Sequence, residues 1–277
     1  PLLTSALSSM PVCKALIHEY SSDKPFKERI PLLNTHVTIE TAVAAHAFFM
    51  GGATNVVVCS TAYGTDEHTY KLLKKKGIPV FARPKGEKGL SEEKCLTFLE
   101  AALSAYPVDG LIDDGGRYPT LLKKSEHKLG EELVGVVEQT RGGEICWNEL
   151  FGKSLPLPVI SVNSSPFKKI EHKATAQTVI SASMSAIKGD FAGRTVAIIG
   201  FGEVGREIAL QLMKEHGARV IVVDKNPIKL VIAHKLGCQI TTKESALKEA
   251  DIIVTATGNL NIIARDDDFY QLKNGCF

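Results

Sequence analysis

The amino-acid sequence predicts an α/β protein of two domains, each built around a parallel β-sheet. Short apolar runs rich in β-branched residues alternate with stretches of helical periodicity, and this alternation is typical of parallel α/β architecture. The length of 277 residues is sufficient for about two domains. Hydrophobic residues make up 44% and charged residues 23% of the chain, which is the composition of a globular protein with sizeable cores.

The first domain is predicted over residues 1–190. Five apolar runs predict strands at 55–58, 78–82, 110–113, 135–138 and 158–162. Helical patterns accompany them at about 39–50, 67–75, 91–105 and 143–151. These alternations are enough to form one Rossmann-like domain by themselves. A longer helical segment at about 169–188 leads out of this domain, and the turn-forming residues at 188–193 mark the expected boundary.

The second domain is predicted over residues 191–277. The run TVAII at 195–199 is continuously apolar, as expected of a strand that is buried on both faces. The same alternation then continues to residue 256. Further strands are predicted at 219–223, 238–241 and 251–256, with helices at about 203–216, 227–236 and 243–249.

The charge and the cysteine content argue against several classes of protein. Thirty-three basic against 31 acidic residues leave a net charge of +2, so we expect neither a nucleic-acid nor a membrane-surface partner. The six cysteines are scattered and form no CxxC pair, which favours a reduced cytoplasmic protein without disulfides or a metal site. The sequence contains no run of about 18 apolar residues and no N-terminal signal-peptide pattern, so neither a membrane span nor secretion is expected.

A glycine pattern follows the predicted strand at 195–199. It has the spacing GxGxxG and opens the next predicted helix, which is the context of a dinucleotide-binding loop. The first glycine permits the tight turn, the second lets the backbone approach a pyrophosphate, and the third allows the helix to pack closely on the strand. The helix N-terminus offers free N–H groups to the anion. The candidate cofactor-binding residues here are Gly200, Gly202, Glu203, Val204 and Gly205.

Two further positions point to the same cofactor. Asp224 ends the next predicted strand, 19 residues after Gly205. A carboxylate at this point accepts hydrogen bonds from a ribose diol and repels a 2′-phosphate, so the sequence favours NAD over NADP. Thr257 and Gly258 follow the last predicted strand, where loops commonly face the nicotinamide ribose. The alternative interpretation is a strand–turn–helix with incidental glycines, a surface aspartate and an ordinary turn.

Six segments of the sequence, taken in order, resemble the S-adenosylhomocysteine hydrolase (adenosylhomocysteinase) family. They are MPVCKALIHEYSSDKPFK at 10–27, THVTIETA at 35–42, GTDEH at 64–68, LIDDGG at 111–116, PVISVN at 158–163 and GFGEVG at 200–205. The resemblance implies a substrate-binding domain with a hinge, then an NAD domain, in a homo-oligomer that is usually a tetramer. It also implies that Phe277 falls inside the fifth strand of the NAD sheet, so that this unit is truncated at its end.

The resemblance implies a hydrolysis that passes through an oxidation. In this family NAD oxidises the ribose 3′-hydroxyl of a nucleoside thioether, and the ketone acidifies the 4′ hydrogen. The 5′ thiol then leaves, water adds, and the ketone is reduced again. This sequence of steps requires acid–base groups beside the sugar. By the resemblance, the catalytic residues are His36, Asp114 and Lys168, and the residues that bind the substrate are Thr38, Glu40 and Asn163.

Several positions depart from the family pattern. Gln139 stands where the family has a substrate-binding glutamate, and Thr140 begins a segment that replaces three threonines in contact with NAD. His172 and Lys173 stand where an Asp-Asn pair holds the 3′-hydroxyl, and Arg117 replaces an aspartate. We therefore expect Gln139 and His172 to contact the substrate, and Thr140 the cofactor, in an altered sugar site.

Two functions from different classes remain open. The first is an NAD-dependent hydrolase acting on S-adenosylhomocysteine or a related nucleoside thioether, which His36, Asp114 and Lys168 favour. The second is a non-catalytic NAD-binding relative that acts as a binding or regulatory protein, which the altered sugar site favours. Taken singly, the histidine is also compatible with a core position, the aspartate with a turn and the lysine with a solvated helix end. A 2-hydroxyacid dehydrogenase is more distant, because its expected Arg, Glu and His series cannot be placed.

Overall fold

The computed structural model confirms the α/β class and the parallel sheets. The chain forms two compact units, Pro1–Asn163 and Ser164–Phe277. This division lies earlier than the predicted boundary at 188–193, because the long helix before that segment packs within the second unit, where Ala176 and Ile180 join the core. The residues that the structure describes are 2–83, 91–125, 132–258 and 266–277.

The first unit is a parallel sheet with helices packed on it. Over the described residues its strands are β1 (Pro31–Val37), β2 (Val57–Thr65), β3 (Val80–Phe81), β4 (Gly110–Asp113), β5 (Gly135–Glu138) and β6 (Val159–Ser161). Its helices are α1 (Leu2–Ser8), α2 (Pro11–Asp23), α3 (Ile39–Met50), α4 (Glu67–Lys75), α5 (Glu92–Ala105), α6 (Arg117–Lys124) and α7 (Arg141–Phe151). The strands lie in the order β3-β2-β1-β4-β5-β6.

The sheet of the first unit is buried on both faces around its central strand, β1. Successive side chains of a strand point to opposite faces, and Leu32 and Leu33 accordingly enter two different apolar clusters. From β1 the order runs through β2 and β3 in one direction and through β4 to β6 in the other. In such sheets ligands bind at the carboxyl ends of the strands, beside this change of direction. The carboxyl end of β1 is therefore the expected place for a site.

The sequence did not predict β1, nor helices α1, α2 and α6. Asn34, Thr35 and His36 interrupt the apolar pattern of β1, and the buried Asn34 donates its side-chain hydrogen bond to Asp113, a residue distant in sequence. Strand β2 likewise runs beyond its predicted end, because Thr65 pairs with Val37 of β1 although the residues before it are not an apolar run.

The second unit follows its predicted elements closely, except that the short helix at Asp266–Tyr270 was not predicted. Over the described residues its strands are β7 (Thr195–Ile199), β8 (Arg219–Val223), β9 (Gln239–Ile240) and β10 (Ile252–Thr255). Its helices are α8 (Pro166–Ile187), α9 (Glu203–Glu215), α10 (Pro227–Lys235), α11 (Lys243–Glu249) and α12 (Asp266–Tyr270). The strand order is β10-β7-β8-β9, with all pairs parallel.

Two ends of the second unit extend the predicted pattern. Helix α8 begins three residues before the predicted start, because Ser165 caps it by accepting a hydrogen bond from Lys168 N and Pro166 occupies the first turn. At the other end, Phe277 N donates to Asp251 O and Ile253 N donates to Phe277 O, so Phe277 pairs with the outer edge of β10. Within the parts of the chain that the structure describes, no helix is long and apolar enough to cross a membrane.

Candidate functional site

A row of buried polar side chains crosses the first sheet near the carboxyl ends of its strands. Asn34 of β1, Asp113 of β4 and Glu138 of β5 are direct neighbours in the parallel registers, and all three are fully buried. Asn34 Nδ2 donates to Asp113 Oδ1 over 2.6 Å, and Tyr118 N donates to Asp113 Oδ2 over 2.9 Å. The row therefore joins β1, β4 and β5 across the point where the strand order of the sheet reverses.

The two carboxyl groups of this row are difficult to ionise together. Burial raises the pKa of Asp113 to about 7, and the neighbouring Glu138 adds to the effect. Burial also raises the pKa of Glu138, although hydrogen bonds from Thr140 and Gly115 act in the opposite direction. Two carboxylates in one low-dielectric site repel each other and titrate as a coupled pair. The pair consequently retains a proton up to a higher pH than ordinary carboxyl groups do.

Glu138 also fixes the loop that follows β4. Its Oε1 accepts hydrogen bonds from the backbone N and the hydroxyl of Thr140, each over 2.9 Å, and from Gly115 N over 3.3 Å. Gly115 N is shared with Thr140 Oγ1 at 3.0 Å. Gly115 is adjacent to Asp114, so these hydrogen bonds fix the backbone position of Asp114.

Arg117 is part of the same support. Its side chain is almost completely buried, donates from Nη1 to the carbonyl oxygen of Asp114, and pairs through Nη2 with Glu92 Oε1 at 3.1 Å. The guanidinium therefore holds the backbone of the loop and is neutralised by an acidic partner. Arg117 thus contributes a positive charge and a hydrogen bond that support the Asp114 loop.

His36 and Asp114 are brought together at the carboxyl ends of β1 and β4. His36 Nε2 lies 3.6 Å from Asp114 Oδ2, with side chains 48% and 18% exposed. On the other side of the ring, Nδ1 lies 2.7 Å from Thr61 Oγ1. The imidazole therefore has one nitrogen held by a hydroxyl and the other facing a carboxylate. A histidine and a carboxylate at this separation can exchange protons with a group bound between or beside them.

The predicted substrate-binding residues of the first unit lie close to these elements. Thr38 is the N-cap of helix α3, Glu40 lies in its first turn, and Thr38 N donates to His36 O over 3.0 Å. Gln139 N donates to the carbonyl oxygen of Asp113 over 3.0 Å. Asn163 is held differently, since its Nδ2 donates to Glu144 Oε2 over 3.0 Å.

Thr140, predicted to contact the cofactor, has a structural task. It caps helix α7, where its hydroxyl oxygen accepts a hydrogen bond from Gly143 N over 3.0 Å, and the same hydroxyl donates to Glu138. A short polar side chain at this position satisfies the free N–H groups of the first helical turn. This is sufficient to explain a threonine here, and the cofactor contact stays a prediction.

Helix α8 of the second unit carries the predicted catalytic residue Lys168, the predicted substrate-binding residue His172 and its neighbour Lys173. Lys168 Nζ forms an ion pair with Glu171 Oε2 at 2.7 Å. His172 lies one turn before the fully buried Ala176 on the packed stripe of the helix, and its Nδ1 is buried without a hydrogen-bond partner among the described residues. Lys173 is exposed, and its carbonyl oxygen accepts a hydrogen bond from Gln211. His172 and Lys173 therefore lie in different surroundings.

The glycine loop of the second unit has the geometry that the sequence predicted. Gly200 has φ +102°, and a Cβ there would lie 2.6 Å from the carbonyl oxygen of Ala256. A Cβ at Gly205 would overlap the carbonyl oxygen of Gly200. Gly202, which caps α9, has nothing within 4 Å of its Cβ position. The loop is thus closed on its inner side and open where a ligand backbone would approach, which fits a dinucleotide pyrophosphate at the helix N-terminus.

Asp224 is bound directly to this loop. Its Oδ2 accepts a hydrogen bond from Phe201 N over 2.7 Å, and its Oδ1 accepts one from Asn226 N over 2.8 Å. Burial acts to raise the pKa of Asp224, but these N–H groups and the Lys229 ammonium outweigh burial and hold the pKa below its ordinary value. An ionised carboxylate has about four acceptor sites, so acceptor capacity remains for a ribose diol.

The segment after β10 completes this edge of the second sheet. Thr257 Cγ2 would lie 2.8 Å from a Cβ at Gly200, and Ala256 N donates to Ile199 O over 2.8 Å. Gly258 adopts φ +65° with open space around its Cβ position. The structure therefore brings the two predicted cofactor segments of this unit together, at the ends of neighbouring strands.

Sequence reasoning missed several residues that shape the first unit's site. Asn34, Thr61 and Glu138 were not singled out, because each gains its importance from a partner on another strand. Gly64 was noted only within a family segment, although it lies against His36. The adjacent acidic residues before Gly115 were a signal for Asp113, which could also be interpreted as part of a turn.

Two protein-family models match the chain. The model of S-adenosyl-L-homocysteine hydrolase matches residues 3–140, and the model of the NAD binding domain of that enzyme matches residues 174–277. The second match agrees with the glycine loop and Asp224 in identifying NAD as the cofactor. Together the two models cover most of the chain.

Individual relatives agree with the family models. The chain is 31% identical to the adenosylhomocysteinase of Thermoplasma acidophilum over 276 residues, which cover 98% of this chain and 66% of the relative. It is 32% identical to that of Thermotoga maritima, covering 96% and 65%. It is 29% identical to the S-inosyl-L-homocysteine hydrolase of Methanopyrus kandleri, covering 98% and 63%. The chain thus spans slightly less than two thirds of the length of these relatives.

Solved structures share the fold at low sequence identity. A dipicolinate synthase from Bacillus halodurans has a TM-score of 0.50 and 11% identity, covering 91% of this chain and 81% of its own. Phosphoglycerate oxidoreductase from Vibrio cholerae has a TM-score of 0.50 and 16% identity, covering 89% and 72%. These likenesses support the α/β fold and nothing about substrate.

We predict that Asp224 determines the choice between NAD and NADP. The Asp224→Ala change should weaken NAD binding by roughly 10- to 100-fold, because hydrogen bonds to a charged group contribute about 1.5–3 kcal/mol. Affinity for NADP should fall less, since the repulsion of the 2′-phosphate is removed together with the carboxylate. Calorimetric titration of both cofactors measures the ratio. Glu215→Ala, an exposed acid on the same unit, is the control, and an unchanged ratio in Asp224→Ala would contradict the assignment.

We predict that the first unit loses stability as the pH rises from about 5 to 8. Between its ordinary pKa and the folded pKa of about 7, Asp113 holds a proton in the folded state that the unfolded state releases, so the free energy of unfolding falls with rising pH. The contribution is complete below the unfolded pKa and is lost as the pH passes 7. One unit of pKa difference corresponds to about 1.4 kcal/mol.

Asp113→Asn should flatten this pH dependence by roughly 1–3 kcal/mol between the two limits, because the amide mimics the protonated acid. Trp147, the one tryptophan of the chain, is buried in the first unit, so urea unfolding followed by its fluorescence reports on this unit. Asp23→Asn, at an exposed acid on α2, is the control. An equal pH slope in Asp113→Asn and the unmodified protein would show that the carboxyl is not responsible.

Proposed function

The chain belongs to the S-adenosyl-L-homocysteine hydrolase family, and we propose that the protein hydrolyses S-adenosylhomocysteine or a related nucleoside thioether through transient oxidation of the ribose. The observation that carries the proposal is the approach of His36 Nε2 to Asp114 Oδ2, at 3.6 Å. This pair lies at the strand ends where ligands of such sheets bind. NAD, when bound, accepts the hydride from the ribose 3′ carbon and returns it at the end.

His36 and Asp114 provide the proton transfers around the 5′ carbon. His36 Nε2 is exposed enough to reach a bound group and is the nitrogen not held by Thr61. It donates a proton to the leaving thiol and later removes one from the attacking water. Asp114 Oδ2 orients that water and stabilises the imidazolium. The separation of 3.6 Å exceeds a direct hydrogen bond, as is common for catalytic pairs before the substrate is bound.

Lys168 is proposed to take the proton of the 3′-hydroxyl. An amine performs this step only in its neutral form, and a carboxylate partner stabilises the charged form. Lys168 Nζ is paired with Glu171 at 2.7 Å. The proposed role therefore requires that this ion pair opens, and replacement of Glu171 by Gln should make the step easier.

Thr38, Glu40, Gln139, Asn163 and His172 are proposed to contact the substrate. Thr38 and Glu40 lie two and four residues after His36, and Gln139 directly follows the buried Glu138. An amide at Gln139 both donates and accepts hydrogen bonds, whereas the family's glutamate only accepts. A site with this amide orients a ribose diol differently, which supports a related nucleoside as readily as S-adenosylhomocysteine. His172 faces the packed side of α8 and contributes only if that side chain turns.

The alternative is a non-catalytic NAD-binding relative. It is favoured by Gln139 and Lys173 and by the ion pair that occupies Lys168. Under this alternative the glycine loop and Asp224 would keep their roles, and the His36–Asp114 pair would serve binding alone. The two functions differ in one measurable step, the oxidation of the nucleoside.

We also propose that the protein acts as a homo-oligomer in the cytoplasm. Helix α10 exposes Ile228, Val231 and Ile232 on one face, and Ile240 of the edge strand β9 is exposed beside them in the same unit. Exposed apolar patches of this kind mark interaction surfaces. The cysteines in the described part of the chain are free thiols, which suits a reducing compartment.

We predict that adding adenosine to the whole protein loaded with NAD will produce the ultraviolet absorbance of NADH, since 3′-oxidation precedes the other steps.

His36→Asn and Asp114→Asn should leave NAD affinity unchanged and reduce turnover of the thioether by about 10²–10⁴-fold, as for loss of an acid–base group. His18→Asn, at an exposed histidine of α2, is the control. Restoring the family pair with His172→Asp and Lys173→Asn should raise the rate. If no nucleoside produces NADH before or after that change, the binding-protein alternative is correct.

A further inference from the structure

We propose that Thr61 and Gly64 are positioning residues that fix the ring of His36 and present its Nε2, with the hydrogen on that atom, toward Asp114. The inference deepens the proposed function, because it specifies which nitrogen of His36 is available for proton transfer. It depends on contacts within the first unit alone. Neither residue needs to touch substrate or cofactor.

An irregularity in the pairing of β1 with β2 brings both residues to the histidine. Thr35 pairs with Ser60, and the next paired position is Val37 with Thr65. Two steps along β1 are therefore matched by five along β2, and residues 61–64 form an arch beside His36. The 2.6 Å contact between the hydroxyl groups of Ser60 and Thr65 closes the base of this arch. Such irregularities commonly redirect side chains next to functional sites.

Thr61 holds one nitrogen of the ring. Its Oγ1 lies 2.7 Å from His36 Nδ1, and the residue is fully buried. Among the described residues, the imidazole is the one hydrogen-bond partner of this hydroxyl. The Asp114 carboxylate, 3.6 Å from Nε2, favours a hydrogen on Nε2. Nδ1 then carries the lone pair, and the Thr61 hydroxyl donates to it.

A hydroxyl suits a histidine that changes its protonation state. When the ring is neutral, Thr61 Oγ1 donates to Nδ1. When the ring is doubly protonated, the same oxygen accepts from Nδ1–H after rotating its own hydrogen. A carboxylate at this position would favour the charged ring, and an apolar side chain would leave Nδ1 without a partner. Thr61 therefore fixes the ring in both states without opposing either.

Gly64 provides the space that the ring occupies. A Cβ at this position would lie 2.6 Å from His36 Nδ1 and 3.1 Å from its Cβ and Cγ. Gly64 is not among the residues with positive φ, so its backbone conformation is one that any residue adopts. The glycine is therefore required by the close approach of the ring. Any side chain would displace the imidazole from Thr61.

The backbone of His36 is also fixed, so Thr61 and Gly64 need to position only the imidazole ring. The carbonyl oxygen of His36 accepts hydrogen bonds from the hydroxyl of Thr41 and from Thr38 N, the latter over 3.0 Å. With the backbone held, rotation about the side-chain bonds is the remaining freedom. Thr61 and Gly64 remove it from one side, and Asp114 sets the direction on the other.

The test is ¹⁵N nuclear magnetic resonance of the imidazole at alkaline pH, with no cofactor or substrate added. His36 should have its hydrogen on Nε2. Thr61→Val keeps the shape and removes the hydroxyl, so the share of the form with hydrogen on Nδ1 should rise roughly fivefold, as expected for the loss of one neutral hydrogen bond. Thr61→Ser should restore the original ratio. Gly64→Ala should also change it, by displacing the ring from the hydroxyl.

Thr97→Val, the same replacement at an exposed position on α5, is the matched control, and Trp147 fluorescence in urea establishes that each variant is folded. An unmodified protein with the hydrogen on Nδ1 overturns the proposal even if Thr61→Val does not fold, and so does an unchanged ratio in folded Thr61→Val. The outcome is distinguishable from failure of the proposed function. A ratio that responds to Thr61, in a protein that never reduces NAD with a nucleoside, supports the positioning role and refutes the hydrolase.

Discussion

The candidate site of the first unit depends on one buried interaction, the 2.6 Å hydrogen bond from Asn34 Nδ2 to Asp113 Oδ1. It joins β1 to β4, the two strands between which the order of the sheet changes direction. Asp113 also holds the start of α6 through Tyr118 N, and its neighbour Glu138 holds the loop of Asp114 through Gly115 N. The geometry at the carboxyl edge is therefore built on groups that lie beneath it.

This arrangement has an electrostatic cost. Asp113 and Glu138 lie in adjacent strands without access to water, and burial raises the pKa of each. Apolar residues at these positions would carry no desolvation cost, but they could not accept hydrogen bonds from the backbone N–H groups of the loop. The buried acids thus lower the stability of the unit while they hold the loop in a defined conformation. His36, by contrast, is half exposed and remains able to meet a ligand.

The two units reach their sites by different routes. In the second unit a local rule suffices, because the close approach of Gly205 to Gly200 and the bond from Phe201 N to Asp224 follow from a short strand–loop–helix motif and the strand that comes after it. In the first unit the contacts of His36 join residues far apart in the chain, on β1, on β2 and after β4.

The sequence by itself determined the α/β class, the elements of the second unit apart from α12, the glycine loop with Asp224, and, through ordered short segments, the family. Apolar periodicity and glycine spacing are local properties, so they can be recognised without knowing what lies opposite. Only the tertiary structure decided that Pro31–Val37 is the central strand, that α8 belongs to the second unit, and that Thr61 and Gly64 hold His36. Their polar or small side chains are explained by partners on other elements, and the identity of those partners is fixed when the strands pair.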